Sequence, residues 1–378
     1  MNDAITILIA GDLVPTKSNE QLFVEGKVEE LFGKEVVQLF LDADIRILNL
    51  ECPLTDADFP IEKVGPNLKA LPACIAGIQA LHPSLVGLAN NHIMDYGLKG
   101  LLETQKILQD ENLFHIGAGI NIEEAALPSI VEKNGIKIGV YACAEHEFSI
   151  ATAKLPGANP FDPLESLDQI AASKSLCEYL VVLYHGGKEH YRYPSPDLQK
   201  RCRKIVEKGA DLVVCQHTHC IGCYEEYHGA TIVYGQGNFI FDHSESEFWE
   251  TSLLLKVIVS NAGYKMEYIP LVKEKNVVRV AKNEYDIILN GFEKRSKEIL
   301  QDEFIEKTFA EFSKTMELSY LGAFSGLARY PRAILTRLLK GSLLRQYYSR
   351  KKRLIIKNCF ECEAHREVVL KCLESVDE

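Results

Sequence analysis

Between residue 4 and about residue 240, short apolar runs alternate with amphipathic stretches of ten to fifteen residues. The runs are Ile5–Ala10, Ile45–Leu50, Leu85–Ala89, Lys137–Ala142, Tyr179–Tyr184 and Asp211–Cys215. Their length and their content of Val and Ile predict buried strands, whereas Leu98–Leu108 and Leu198–Lys208 space their apolar residues at the helical period. The alternation predicts an α/β layout. Over residues 223–272 the pattern changes to strand-like segments at Thr231–Tyr234, Ser252–Val259 and Tyr264–Leu271, with short turns at Tyr227-His228-Gly229 and Asn261-Ala262-Gly263;. Helical periodicity takes over past about residue 285, in Gly291–Phe312 and, after Pro331, in Ala333–Tyr348. The pattern predicts one α/β domain over residues 1–285 and a helical extension over residues 286–378. No internal repeat interrupts it.

Six segments share one design, an apolar strand that is expected to end directly on a polar side chain able to bind metal: Ile9-Ala10-Gly11-Asp12, Leu48-Asn49-Leu50-Glu51, Leu88-Ala89-Asn90-Asn91-His92, Val182-Leu183-Tyr184-His185, Val214-Cys215-Gln216-His217-Thr218-His219 and Gly237-Asn238-Phe239. A lone strand-terminal Asp is more often a helix cap, and a lone buried His more often a satisfied core residue. In α/β sheets, however, ligands bind outside the carboxyl ends of strands, so residues far apart in sequence converge there. In an extended segment His217 and His219 would project to one side and Thr218 to the other. Imidazole with carboxylate and amide oxygen suits Zn, Fe, Mn or Ni better than Ca or Mg. A carboxylate between two such half-sites can bridge two metals about 3.5–4 Å apart, the arrangement used in metal-assisted hydrolysis. Glu51 is the candidate bridge.

In this order the motifs resemble the poly-γ-glutamate capsule synthesis family, CapA, a branch of the calcineurin-like metallophosphoesterases. The matching stretches are Gly11-Asp12, Asn49-Leu50-Glu51, Ala89-Asn90-Asn91-His92 with Asp95 and Gly97, His185-Gly186-Gly187-Lys188-Glu189, Gln216-His217-Thr218-His219 and Gly237–Asp242. The resemblance implies a metallophosphoesterase-like sandwich of two mixed sheets flanked by helices. It implies that Asp12, Glu51 and His219 hold one divalent transition metal ion, and Glu51, Asn91, His185 and His217 a second. His92 would then be a general acid or a stabiliser of transition-state charge, oriented by Asp95. Glu189 would face metal or substrate, and Asn238 substrate. Lys63, Lys69, Lys188, Arg192 and Tyr193 are further loop candidates for substrate recognition. Three departures stand out. Asp12 is followed by Leu13-Val14 where the wider superfamily has Asp-x-His, Glu51 replaces the usual bridging Asp, and Gly186 replaces an aromatic residue, which would open the site.

Composition narrows the partners. A net charge of −11 argues against a specific nucleic-acid binder;. Yet between Leu318 and Phe360 there are ten Lys and Arg and no Asp or Glu, which leaves −21 on the rest of the chain. Leu and Tyr interleave these cations at helical spacing. This suits a basic amphipathic helix on an anionic membrane, or a helix packed on the acidic main domain with its basic face solvated or salt-bridged. Near the start, Asp3 stands where a signal peptide carries positive charge, and no stretch approaches the ~18 uncharged apolar residues of a membrane span;. The eleven cysteines are scattered without a framework spacing, which fits reduced thiols in a cytoplasmic protein;. Cys220/Cys223 and Cys359/Cys362 lie too far apart for an ordinary joined zinc site. The expected function is a two-metal hydrolase in capsule or envelope polymer metabolism, acting on a small or polymeric anionic substrate. The alternative from another class is a polymer-assembly or polyanion-binding factor that retains the metals without turnover.

Overall fold

The computed structural model describes residues 4–242, 246–274, 277–326 and 342–374. Two sheets form the centre of the first unit. The larger runs in the order Val277–Val280, Gly263–Glu274, Thr251–Ser260, Ile5–Val14, Ile45–Leu50, Leu85–Gly87, Phe114–Ile116, with Asn238–Phe241 also pairing in parallel with Ile5–Val14. The smaller runs Tyr224–Tyr227, Ala230–Val233, Leu212–Gln216, Tyr179–His185, Ile136–Ala144, Ser129–Lys133. In the smaller sheet the central strands are parallel and both outer strands antiparallel; in the larger, the strands from Ile5–Val14 to Phe114–Ile116 are parallel and those from Ile5–Val14 to Val277–Val280 antiparallel, so both sheets are mixed.

The period-2 geometry of strands explains how these runs assemble. Along Tyr179–His185, Val181 and Leu183 join the core shared with the larger sheet, while Leu180, Val182 and Tyr184 face the helices Ser166–Lys174 and Pro196–Glu207;. A strand covered on both faces reads as a continuous apolar run, which is why the alternation was invisible in the sequence. The Pro196–Glu207 helix starts where Ser195 Oγ accepts from Leu198 N and Pro196 occupies the first turn;. At the Tyr227–Ala230 hairpin, His228 (φ 52°) and Gly229 (φ 84°) both take the left-handed conformation that a two-residue turn requires;.

The chain divides into two compact units, Met1–Ile305 and Glu306–Glu378. The first runs past the change of periodicity near residue 285 because Phe292 and Ile299 are buried in its cores. The predicted Gly291–Phe312 helix is two helices, Tyr285–Glu298 and Phe304–Ala323. They are separated by a turn in which Glu303 has φ 59°. In the second unit, Ser342–Tyr347, Arg350–Glu361 and Glu363–Glu374 are helical. Most of the predicted Ala333–Tyr348 helix lies outside the described residues. No described helix is long and apolar enough to cross a membrane. The ten cysteines from Cys52 to Cys362 are free thiols.

Candidate metal centre

The parallel strands of both sheets bring their carboxyl ends to one place. Asp12 arrives on Ile5–Val14, which continues two residues beyond it; the register shifts at Asp12 toward both neighbouring strands, so Asp12 sits at an irregularity rather than at a strand end;. Gly11 makes this approach possible, since a Cβ there would lie 2.1 Å from the carbonyl oxygen of Gly237. Glu51 follows Ile45–Leu50 directly, and His185 is the last residue of its strand. Asn91 lies beyond Leu85–Gly87, its carbonyl held by Ser149 Oγ at 2.7 Å.

The expected extended geometry of His217-Thr218-His219 is not found. The strand ends at Gln216, and His217 (φ 84°) and His219 (φ 55°) adopt left-handed backbone that non-glycine residues rarely take;. Hydrogen bonds hold this path in place: His217 N donates to Asp12 Oδ2 at 3.0 Å, and His219 Nδ1 lies 2.8 Å from Asn238 Oδ1. Both rings still reach the site, with centroids 5.8 Å apart.

Two groups of ligand atoms result, each drawn together to within 4.8 Å: Asp12, Glu51 and His219, and Glu51, His185 and His217. Glu51 belongs to both. Asn91 joins the second group, its Oδ1 3.1 Å from His185 Nε2, which is itself 3.2 Å from Glu51 Oε1. Glu51 is fully buried, yet neither of its oxygens has a hydrogen-bond partner, nor does His217 Nδ1. Orphaned buried carboxylates are costly and rare. Burial pushes the Glu51 carboxyl up to about 8. Burial and then repulsion from Glu51 push Asp12 up to about 7. Burial holds His219 down at about 3 and His185 and His217 below the ordinary imidazole value, so all three rings are neutral and free to offer a nitrogen lone pair;. Two carboxylates that resist ionisation beside neutral imidazoles fit a divalent cation, which would supply the missing positive charge.

His92 and Asp95 form a pair beside this centre, with Nδ1 2.7 Å from Asp95 Oδ2. Asp95 Oδ2 also accepts from Leu68 N at 2.6 Å, and Oδ1 is in an ion pair with Lys63. Lys63 is 2% exposed and its Nζ is 3.1 Å from His92 Nδ1, so it belongs to the buried site rather than to a substrate-facing loop. Asn238 is likewise buried and turned to His219. Lys69 Nζ donates to Ala57 O, Arg192 Nη1 to Ile221 O, and Tyr193 Oη to Glu298. Glu189 and Lys188 do face outward: with Asn91, Glu147, His185 and His217 they line a cleft of about 260 Å³, and Glu189 Oε1 is 4.0 Å from His217 Nε2. Gly186 lines the same cleft, and a Cβ there would be 2.4 Å from Glu145 Cγ, so Glu145 takes up space beside it.

Two residues carried no role in the sequence reading. Asn49 Nδ2 donates to Asp12 Oδ1 at 2.7 Å and lies 3.3 Å from His185 Nδ1, tying the two half-sites together. Trp249 stacks on His219 at 4.5 Å and donates Nε1–H to His190 Nε2 at 2.8 Å. The position of Asn49, one strand step before Leu50-Glu51, was the available signal for the first. Trp249 had none.

Comparison with known proteins places this arrangement. The family model for the bacterial capsule synthesis protein PGA_cap matches residues 6–243. The capsule biosynthesis protein CapA of Bacillus anthracis is 26% identical over 279 residues, covering 71% of this chain and 68% of that protein. The PGA biosynthesis protein CapA of Bacillus subtilis is 25% identical over 274 residues, covering 71% and 72%. Among solved structures, a phosphatase from Mycoplasma pneumoniae covers 73% of this chain and 96% of its own, with 13% identity and a TM-score of 0.45. The matched span contains all the ligand candidates from Asp12 to His219 together with His92 and Asp95, and by that match the chain belongs to the PGA_cap family of bacterial capsule synthesis proteins.

Proposed function

We propose that this chain is a two-metal, hydrolase-type protein acting on a capsule or poly-γ-glutamate-like envelope polymer, or on an intermediate of its synthesis. The observation that carries this reading is Glu51, a fully buried carboxylate with no hydrogen-bond partner that is common to both ligand groups. On this reading Asp12, Glu51 and His219 hold one divalent ion, and Glu51, Asn91, His185 and His217 the other. Mn, Fe, Zn or Ni suit this donor set. Such a pair of ions, when bound, supplies Lewis acidity toward a phosphoryl or carbonyl oxygen and acidifies water.

The chain's own residues do the rest. Asn49 fixes Asp12 and His185, and Asn238 fixes His219, as the outer partners of metal ligands do;. With Nδ1 engaged by Asp95, His92 has Nε2 available to give a proton to the leaving oxygen;. Lys63 balances the charge of Asp95 and keeps that carboxylate in register with the ring. Glu189 and Lys188 line the approach for substrate.

The names of the two CapA relatives describe biosynthesis rather than hydrolysis, and Asp12-Leu13-Val14 lacks the second nitrogen ligand of Asp-x-His. These favour a second reading, in which the metals are kept for polymer assembly or polyanion binding without turnover. Metal-loaded protein assayed on phosphomonoester, phosphodiester and γ-glutamyl substrates separates the two. Turnover lost in His217→Ala, with an unchanged circular dichroism spectrum, supports the hydrolase. Full metal occupancy with no hydrolysis of any of the three sinks it in favour of the second reading.

A further inference from the structure

The cationic stretch between Leu318 and Phe360 has no part in the chemistry above, and its charge and exposed apolar surface occur together. Its described portion ends in the Arg350–Glu361 helix, which is followed after Cys362 by Glu363–Glu374 and meets the Phe304–Ala323 helix through the Arg353–Glu317 ion pair. On the Arg350–Glu361 helix, Arg353, Ile356 and Cys359 recur at intervals of three and are the partly covered positions. The opposite face gives Arg350, Lys351, Leu354 and Ile355 to solvent, with Leu354 56% and Ile355 58% exposed. Arg350 and Leu354 are four apart, as are Lys351 and Ile355, so each cation stands one turn from an apolar side chain on the same face.

Partners within the unit use up only some of the charge. Glu317 takes Arg345 and Arg353, Glu361 takes Lys357, and Lys352 sits on the exposed ring of Tyr347 with Nζ 3.6 Å from its centroid. Among the described residues no carboxylate lies within ion-pair distance of Arg350 or Lys351. A solvated helix face would be polar throughout, and a protein-binding face would be poor in Lys. An anionic bilayer suits both halves of this surface: the apolar side chains enter the headgroup boundary and the cations meet lipid phosphates. Since no described helix can span a membrane, the contact would be peripheral.

We propose that the exposed face of the Arg350–Glu361 helix is a docking surface for an anionic lipid bilayer, independent of the metal chemistry. Co-sedimentation of the full chain with vesicles of phosphatidylcholine alone, or with about one third phosphatidylglycerol, at low and high salt tests it. Binding should require the anionic lipid and weaken about tenfold at high salt. The double variants Leu354→Ser/Ile355→Ser and Arg350→Glu/Lys351→Glu should each lose about tenfold in binding with melting temperature unchanged. If the charge-reversed variant fails to fold, the serine variant carries the test. Absence of salt-sensitive binding by the parent overturns the proposal. So does parent-like binding by the foldable variants, or a change of mass in size exclusion that assigns this face to a second copy of the chain.

Discussion

Glu51 and Asp12 sit where their charge is disfavoured, and what relieves that cost decides what each is for. Asp12 has hydrogen bonds from Asn49 and from the His217 amide, whereas Glu51 has none. Glu51→Gln should therefore remove more metal than Asp12→Asn, because one residue serves both ligand groups and the other only one. Metal per chain, measured after dialysis, checks this; equal content in Glu51→Gln and the parent would contradict it. His92 should behave in the opposite way. His92→Asn should keep the metals and lower any turnover by roughly 10²–10⁴-fold, and loss of metal in that variant would make His92 a ligand. At this scale the residues that the fold brings together could be picked out in the sequence because each stands at or just past the end of an apolar run. The sequence offers Lys63 only as a substrate-facing loop residue and gives Trp249 no role, since their places depend on a loop folding back onto Asp95 and on an aromatic stack with His219, neither of which leaves a local pattern.

The candidate ligands converge because the parallel strands of two sheets direct their carboxyl ends to a common place. The runs that form those strands were readable from their length and β-branched content, and the observed strands begin and end within a few residues of them. What could not be read was the local backbone at the ligands. The irregularity at Asp12 and the left-handed turn at His217 go with contacts between segments more than 200 residues apart, and the turn at His219 with Asn238, 19 residues further on. Gly11 exposes this dependence. Gly11→Ala would drive a Cβ into the Gly237 carbonyl and push apart the segments that carry Asp12 and Asn238. It should cost about 1–3 kcal/mol of stability, the usual range for overpacking, and reduce metal content as well. Chemical denaturation with elemental analysis reads both; a variant of parental stability and occupancy would show that the approach of these segments is looser than described.

For the whole molecule, the centre sets how stability depends on pH. In metal-free protein Asp12 and Glu51 hold protons up to about pH 7 and about pH 8, which the unfolded chain releases at lower pH. The stability from those protons is present in acid and is lost as pH rises through these values. His185, His217 and His219 are held below the ordinary 6.5, so their cost is felt on the acid side of it. Between about pH 7 and about pH 8 the two carboxylates dominate, since the histidines of the unfolded chain have largely lost their protons and Lys273, held down to about 8 by burial, is only beginning to release its own;. The melting temperature in chelator should fall across that window, less steeply in Glu51→Gln, and should stop falling when a divalent metal is present. A rise in the chelated parent would contradict the assignment. The number and position of bound ions decide whether this is a two-metal centre. Metal-supplemented protein, analysed for elemental content and by anomalous diffraction, should hold two divalent ions per chain, one against Asp12, Glu51 and His219 and one against Glu51, Asn91, His185 and His217. Failure to retain any ion, or ions bound away from Glu51, would contradict it.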